Sequence, residues 1–250
     1  MIPVEIEYKP FGILPSRRIT AMMPARWSEL TANQMSAIPA LIRGGMTETR
    51  VIEVFLRVRR RISRVMDSYQ RFCVVQLLKF IKNPEPVGAF IIPRIKGFHR
   101  PGNNLKGICF GAFMYGDTFY QRYIGGDKKS LDRFIACYYY DKKGFDEKMI
   151  EKNAAIICGE KPEIREAVAI NYGMIREWMA QMYPYVFQKQ ETGKRKKKAP
   201  GWVKVFDRIV GRDIVHQDDY ARSPATEILR QLNEEVKEYY KNGGKVQRPG

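Results

Sequence analysis

Leu30-Thr31-Ala32-Asn33-Gln34-Met35 is the stretch from which the fold is read. The Thr31 hydroxyl can accept from the free amides of a helix start, and Gln34, three residues on, can reach back to the Thr31 amide. Leu30 and Met35 supply the apolar pair that staples such a start. The predicted helix runs to Arg43 and stops at Gly44-Gly45, with Pro39 as an internal kink point.

Similar signals recur on the C-terminal side. Apolar residues keep helical spacing from Val51 to Ile81, and Asp67-Ser68-Tyr69-Gln70 reads as a second cap inside the run, which predicts two helices over about 47–65 and 68–82. Asn83-Pro84-Glu85-Pro86 breaks the pattern, and 87–109 is rich in Gly and Pro, with Phe90-Ile91-Ile92 and Arg94-Ile95 as short strand candidates. Phe110, Phe113, Met114, Asp117, Tyr120 and Ile124 then mark a helix of about 111–124. Ser130 is the expected cap of 131–140 and Asp146 of 147–158, with Phe145 stapled to Ile150. Pro162 opens a helix reaching about Tyr183 as a first-turn proline. Trp202, Val205, Phe206, Ile209 and Val210 make a short amphipathic helix. Ser223-Pro224 opens a last one striped by Ile228, Leu229, Leu232 and Val236.

The expected fold class is therefore mainly α: helical bundles with a short irregular or β-containing segment near 83–110. The expected organisation is a basic N-terminal helical region with a Gly/Pro-rich connector at 1–110 and a central bundle at 111–187. A basic linker follows at 188–199, then a C-terminal helical pair at 200–242 and a disordered tail at 243–250. The last two helices are too small to stand alone, and the length of the linker favours docking that depends on a partner.

Composition narrows the function classes. The chain has only His99 and His216, and Cys73, Cys109, Cys137 and Cys158 stand 36, 28 and 21 residues apart. That spacing is not a metal finger, and a His-driven triad has little material. Gly107-Ile108-Cys109-Phe110-Gly111 has too few glycines for a phosphate loop and lacks the following Gly-Lys-Ser/Thr. Catalytic, cofactor and metal residues are accordingly expected to be none, and the chain is expected not to be an enzyme. No apolar run approaches membrane-helix length, and Met1 to Glu5 carry no signal-peptide pattern. The expected location is intracellular, with no membrane partner.

The charge is the anomaly. Lys and Arg number 44 against 27 Asp and Glu, a net of +17. Residues 1–110 hold 18 basic and 7 acidic residues, a net of +11, and the rest holds 26 and 20. Arg50, Arg57, Arg60, Arg61 and Arg64 fall near one face of the predicted 47–65 helix, opposite Val51, Phe55, Val58 and Ile62. Lys194, Arg195, Lys196, Lys197 and Lys198 form a second basic cluster. Both are candidates for contact with nucleic acid or an acidic protein surface, and both equally fit solvated charge. Asp117, set among Tyr115, Tyr120 and Tyr123, is expected to pair with a helix arginine, as are Asp132, Glu166 and Glu177.

Three blocks carry a resemblance. Pro24-Ala25-Arg26-Trp27-Ser28-Glu29-Leu30-Thr31-Ala32-Asn33-Gln34 is similar to a Pro-x-x-Trp-x-Glu-Leu-Thr-x-x-Gln opening. Gly111 to Tyr120 resembles a mid-chain block, and Trp202 to Tyr220 a C-terminal one. In this order they resemble a set of tailed-phage and prophage proteins that look like tail-assembly proteins encoded near the tape measure. The resemblance implies a non-enzymatic role in virion assembly, as a chaperone for the long tape-measure chain or as a binder of another phage structural protein. The charge alone points to the alternative, nucleic-acid binding in genome packaging or handling. Whether the chain forms an oligomer is open at this level.

Overall fold

A computed structural model describes residues 1–10, 14–187, 201–211 and 213–242. The whole expected linker 188–199, with the run Lys194 to Lys198, and the tail 243–250 lie outside the described residues. Of the described residues 62% are helical, so the mainly α class holds.

The N-terminus departs from the expected helical region. Ile2–Tyr8 (β1) and Arg17–Met23 (β2) pair antiparallel, with Ile6 opposite Ile19 and Glu7 opposite Arg18. The cause lies in the alternation Ile2, Val4, Ile6 and Ile19, Ala21, Met23, which puts one apolar face inward. Ile6 and Met23 are fully buried.

The Thr31 box forms as read. Ala32–Ile42 (α1) begins with Gln34 N donating to Thr31 Oγ1 and Thr31 N donating to Gln34 Oε1. It ends where Gly44 takes a left-handed φ of +70°, a conformation that costs glycine little. The Gln34 amide also donates to Phe55 O at 2.8 Å, tying α1 to Glu48–Phe55 (α2).

The single helix expected over 47–65 is broken. After α2, Arg57 sits at φ +56°, and Arg60–Val65 (α3) starts anew. In one continuous helix Arg57, Arg60, Arg61 and Arg64 would stack like charges at spacings of three and four, which is unfavourable. Asp67 caps Ser68–Gln76 (α4) by accepting from Gln70 N at 2.8 Å, and a 3-10 stretch continues to Lys82. Trp27, buried, donates its indole N–H to the carbonyls of Phe80 and Asn83 and pins this end to the N-terminal region.

The Gly/Pro-rich segment holds Arg94–Ile95 (β3) and Phe98–His99 (β4), an antiparallel pair; Phe90 to Ile92 is not strand. It is strapped to Pro162–Met182 (α8) by Asn171, whose amide accepts from Ile91 N at 2.6 Å and donates to Ala89 O at 3.1 Å.

The central bundle comprises Phe110–Ile124 (α5), Ser130–Tyr138 (α6), Ile150–Cys158 (α7) and α8. Ser130 is not the cap of α6. The N-cap position is Lys129, without a side-chain cap, and Asp127 closes the turn before the helix by accepting from Lys129 N at 3.1 Å and Ser130 Oγ at 2.7 Å. Asp146 caps a 3-10 turn that precedes α7. Gly116 lets α6 come close to α5, since a Cβ there would lie 2.4 Å from the Tyr138 ring.

The C-terminal part is three helices rather than a pair: Trp202–Val210 (α9), Gln217–Arg222 (α10) and Ala225–Lys241 (α11). All three pack on α5 of the same chain, so intrachain docking replaces the partner-dependent docking expected from the sequence.

Candidate functional site

One carboxylate joins three helices. Asp117 on α5 is 2% exposed, and a buried carboxylate is tolerated only when paired and hydrogen-bonded. Its Oδ1 accepts from Arg176 Nε at 2.7 Å and Tyr172 OH at 3.1 Å, both one turn apart on α8. Its Oδ2 accepts from Trp202 Nε1 at 2.8 Å, at the start of α9. Tyr172 OH lies 2.6 Å from Tyr138 OH on α6, which extends the network into the core. Gln121, one turn after Asp117, accepts from Arg176 Nη1 at 2.7 Å and Nη2 at 3.0 Å. The Trp202 ring meets Phe113 edge-on at 4.7 Å and also abuts Phe110 and Phe187.

The electrostatics mark this network as structural. Burial, with the Asp117 charge adding to it, pushes the Tyr138 and Tyr172 hydroxyls well above the ordinary tyrosine range, so neither titrates near neutral pH. Burial is the largest single influence on Arg176 and opposes its charge, but Asp117 together with Tyr172 and Tyr120 outweighs it, and the Arg176 pKa lies above the ordinary value. Tyr120 is pushed up to about 12, mainly by burial, and burial likewise raises the Cys137 thiol. The expected arginine partner of Asp117 is thus Arg176. Asp132 pairs with Arg165 at 2.7 Å and Glu166 with Arg43.

Beside the network a groove of about 970 Å³ opens between α5, α8, α9 and α11. Its lining includes Ala180, Val186, Val205, Leu232 and Val236, with Trp202 at one end. Glu177 lies exposed on its wall. Sequence reasoning singled out Asp117 and the amphipathic α9 but did not join them, because the contact spans 85 residues.

Arg50, Arg57, Arg60, Arg61 and Arg64 are all exposed, but not on one helix. Arg50 is on α2, Arg57 in the break, and Arg60, Arg61 and Arg64 on α3. Arg50 and Arg60 share Glu53 at 2.9 and 3.7 Å, and Ser63 Oγ lies 3.3 Å from the same carboxylate. Among the described residues no carboxylate lies within ion-pair distance of Arg57, Arg61 or Arg64. A concavity of about 530 Å³ lies between Thr47, Arg50, Glu53, Arg60 and Arg64. Sequence reasoning passed over the exposed apolar groups that follow them in the chain: Val65 is 38% exposed, Tyr69 75% and Phe72 53%.

Among the described residues no three His, Cys, Asp or Glu side chains gather as a metal site, and no helix is long and apolar enough to cross a membrane. No family model, curated protein or solved structure matches the chain.

Proposed function

We propose that this chain is a non-enzymatic assembly protein of a tailed phage or prophage, and that it binds another protein of the virion or of its assembly, the tape-measure chain being the expected partner. The observation that carries the binding role is the α3–α4 segment, where Arg61 and Arg64, without carboxylate partners among the described residues, are followed along the chain by exposed Val65, Tyr69 and Phe72. Arginine and aromatic side chains are the residue types that dominate protein–protein hot spots. The phage context rests on the three blocks of the sequence resemblance. Co-expression with the tape-measure gene of the same prophage is expected to raise the soluble yield of the tape-measure protein. Tyr69→Ala with Phe72→Ala is expected to weaken the purified complex by about tenfold or more. No rescue and no complex would refute the proposal.

A second reading, nucleic-acid binding through Arg57, Arg60, Arg61, Arg64 and the Lys194 to Lys198 run, is favoured by the guanidinium groups of Arg57, Arg61 and Arg64, which have no carboxylate within ion-pair distance among the described residues. Glu48 and Glu53 on the same surface oppose it, because a phosphate backbone would meet them as like charges. If about six phosphates are neutralised, affinity for duplex DNA falls about a thousandfold between roughly 50 and 200 mM salt. A salt-independent affinity eliminates this reading.

A further inference from the structure

We infer that the groove between α5, α8, α9 and α11 is a second docking site, and that its occupant is an acidic amphipathic helix of a partner protein. The shape is set by the Asp117 network, since Trp202, held by its indole N–H and by Phe113, fixes α9 as one wall. The apolar lining is spread over three elements: Ala180 on α8, Val205 on α9, and Leu232 and Val236 one turn apart on α11. An amphipathic helix presents apolar anchors at spacings of three, four and seven residues, which is the form that fills a groove between helices.

Charge selects the kind of helix. The lining carries Arg122, Arg176, Lys204 and Arg208 against Asp117 and Glu177. Asp117 and Arg176 neutralise each other. Arg122, Lys204 and Arg208 are exposed and have no carboxylate within ion-pair distance among the described residues, leaving three cations facing one carboxylate around the apolar floor. An incoming helix with carboxylates flanking its apolar stripe satisfies those cations, and one flanked by lysines is repelled. This site is separate from the arginine and aromatic surface of α3–α4, and the proposal does not depend on that surface.

The test uses the full chain and a fluorescein-labelled model peptide of about 18 residues, with Leu at the anchor positions and Glu on the flanks. It is compared with the same peptide carrying Lys for Glu. In fluorescence anisotropy the acidic peptide is expected to bind with Kd below about 100 µM, and the lysine peptide at least about tenfold more weakly. Lys204→Glu with Arg208→Glu, both at exposed positions, is expected to weaken the acidic peptide by about tenfold or more. Val236→Asp is expected to abolish binding with circular dichroism unchanged. Arg61→Glu with Arg64→Glu is expected to leave Kd within about twofold, which separates this site from the α3–α4 surface. Equal binding of both peptides, or a Kd indifferent to Lys204→Glu/Arg208→Glu, overturns the proposal. So does a homodimer in sedimentation velocity that Val236→Asp turns to monomer, which would give the groove to a second copy of the chain.

Discussion

Replacing Asp117 by Ala removes one carboxylate and strands three donors: the Arg176 guanidinium, the Tyr172 hydroxyl and the Trp202 indole N–H. Breaking a buried ion pair from one side costs about 3–5 kcal/mol because the other charge stays behind. Here Arg176 is one-third exposed and still donates to Gln121, so water and the amide recover part of that loss. Tyr172 keeps Tyr138 as a partner. The expected destabilisation is therefore at the low end, about 3 kcal/mol. A double-mutant cycle isolates the contact to α9. Trp202→Phe keeps an aromatic ring against Phe113 and removes the N–H, so its cost in the parent is that of a hydrogen bond to a charged group, about 1.5–3 kcal/mol. In the Asp117→Ala background most of that cost should vanish, leaving a coupling of at least about 1 kcal/mol. Urea unfolding followed by helical circular dichroism at pH 7 measures all four corners of the cycle. A loss below about 1 kcal/mol for Asp117→Ala, or additive costs for the two changes, would refute the placement of this carboxylate at the junction of α5, α8 and α9.

Three further outcomes follow from the same geometry. Gly116→Ala would place a Cβ 2.4 Å from a Tyr138 ring that is itself fully buried against Phe90, Phe134 and Tyr172; it should cost about 2 kcal/mol and lower Tm by about 5 °C, and an unchanged Tm would place α6 elsewhere. Burial holds Tyr138, Tyr139 and Tyr172 above the ordinary tyrosine range, so their contribution is whole below the unfolded value near 10 and is lost as pH rises past it, by about 1.4 kcal/mol per pH unit for each. Urea midpoints measured from pH 9 upward should fall steeply, and phenolate absorbance appearing in the native state near pH 10 with all three groups titrating would contradict this. Glu29 is held down to about 2, first by the Ala25 amide and then by the terminal amine and Arg26; its contribution is present above about pH 4.5 and disappears as pH falls towards 2, so Glu29→Gln should flatten the stability profile in that window, and superimposable acid limbs would count against the contact.

Local chemistry accounts for what the sequence disclosed. The Thr31 box, the Asp67 cap, the Pro162 start and the Gly44 stop each depend on residues within a few positions, and each stands where its spacing puts it. Two of the misses have local causes too. The apolar alternation of β1 and β2 was present in the chain but was not read as strands, and the arginine run looked like a helix face although like charges at helical spacing argue for the break at Arg57. Phe90 could not be placed from sequence because what holds its segment is Asn171, some 80 residues away. The candidate sites were half legible for the same reason. An exposed arginine announces itself by type, whereas the groove arises only when α9 and α11 fold back over α5.

The blocks that carry the phage resemblance contribute more to the fold than to recognition. Trp27, Thr31 and Gln34 tie α1 to α2 and to the end of α4. Gly116 and Asp117 set the approach of α6 and the anchoring of α8, and Trp202 closes α9 onto them. Trp27, Gln34, Gly116 and Asp117 are buried and Thr31 and Trp202 partly so, which leaves most of them turned away from solvent. In the proposed reading recognition falls to groups that face solvent, such as Arg61, Arg64, Tyr69 and Phe72 along α3 and α4, or Lys204 and Arg208 of the third block, around the groove. The burial of Asp117 therefore bears on binding only indirectly, by holding the wall along which Lys204 and Arg208 are displayed. A variant at Asp117 and a variant at Lys204 can both weaken a partner, but only the first does so by loosening the fold, and unfolding measurements separate the two.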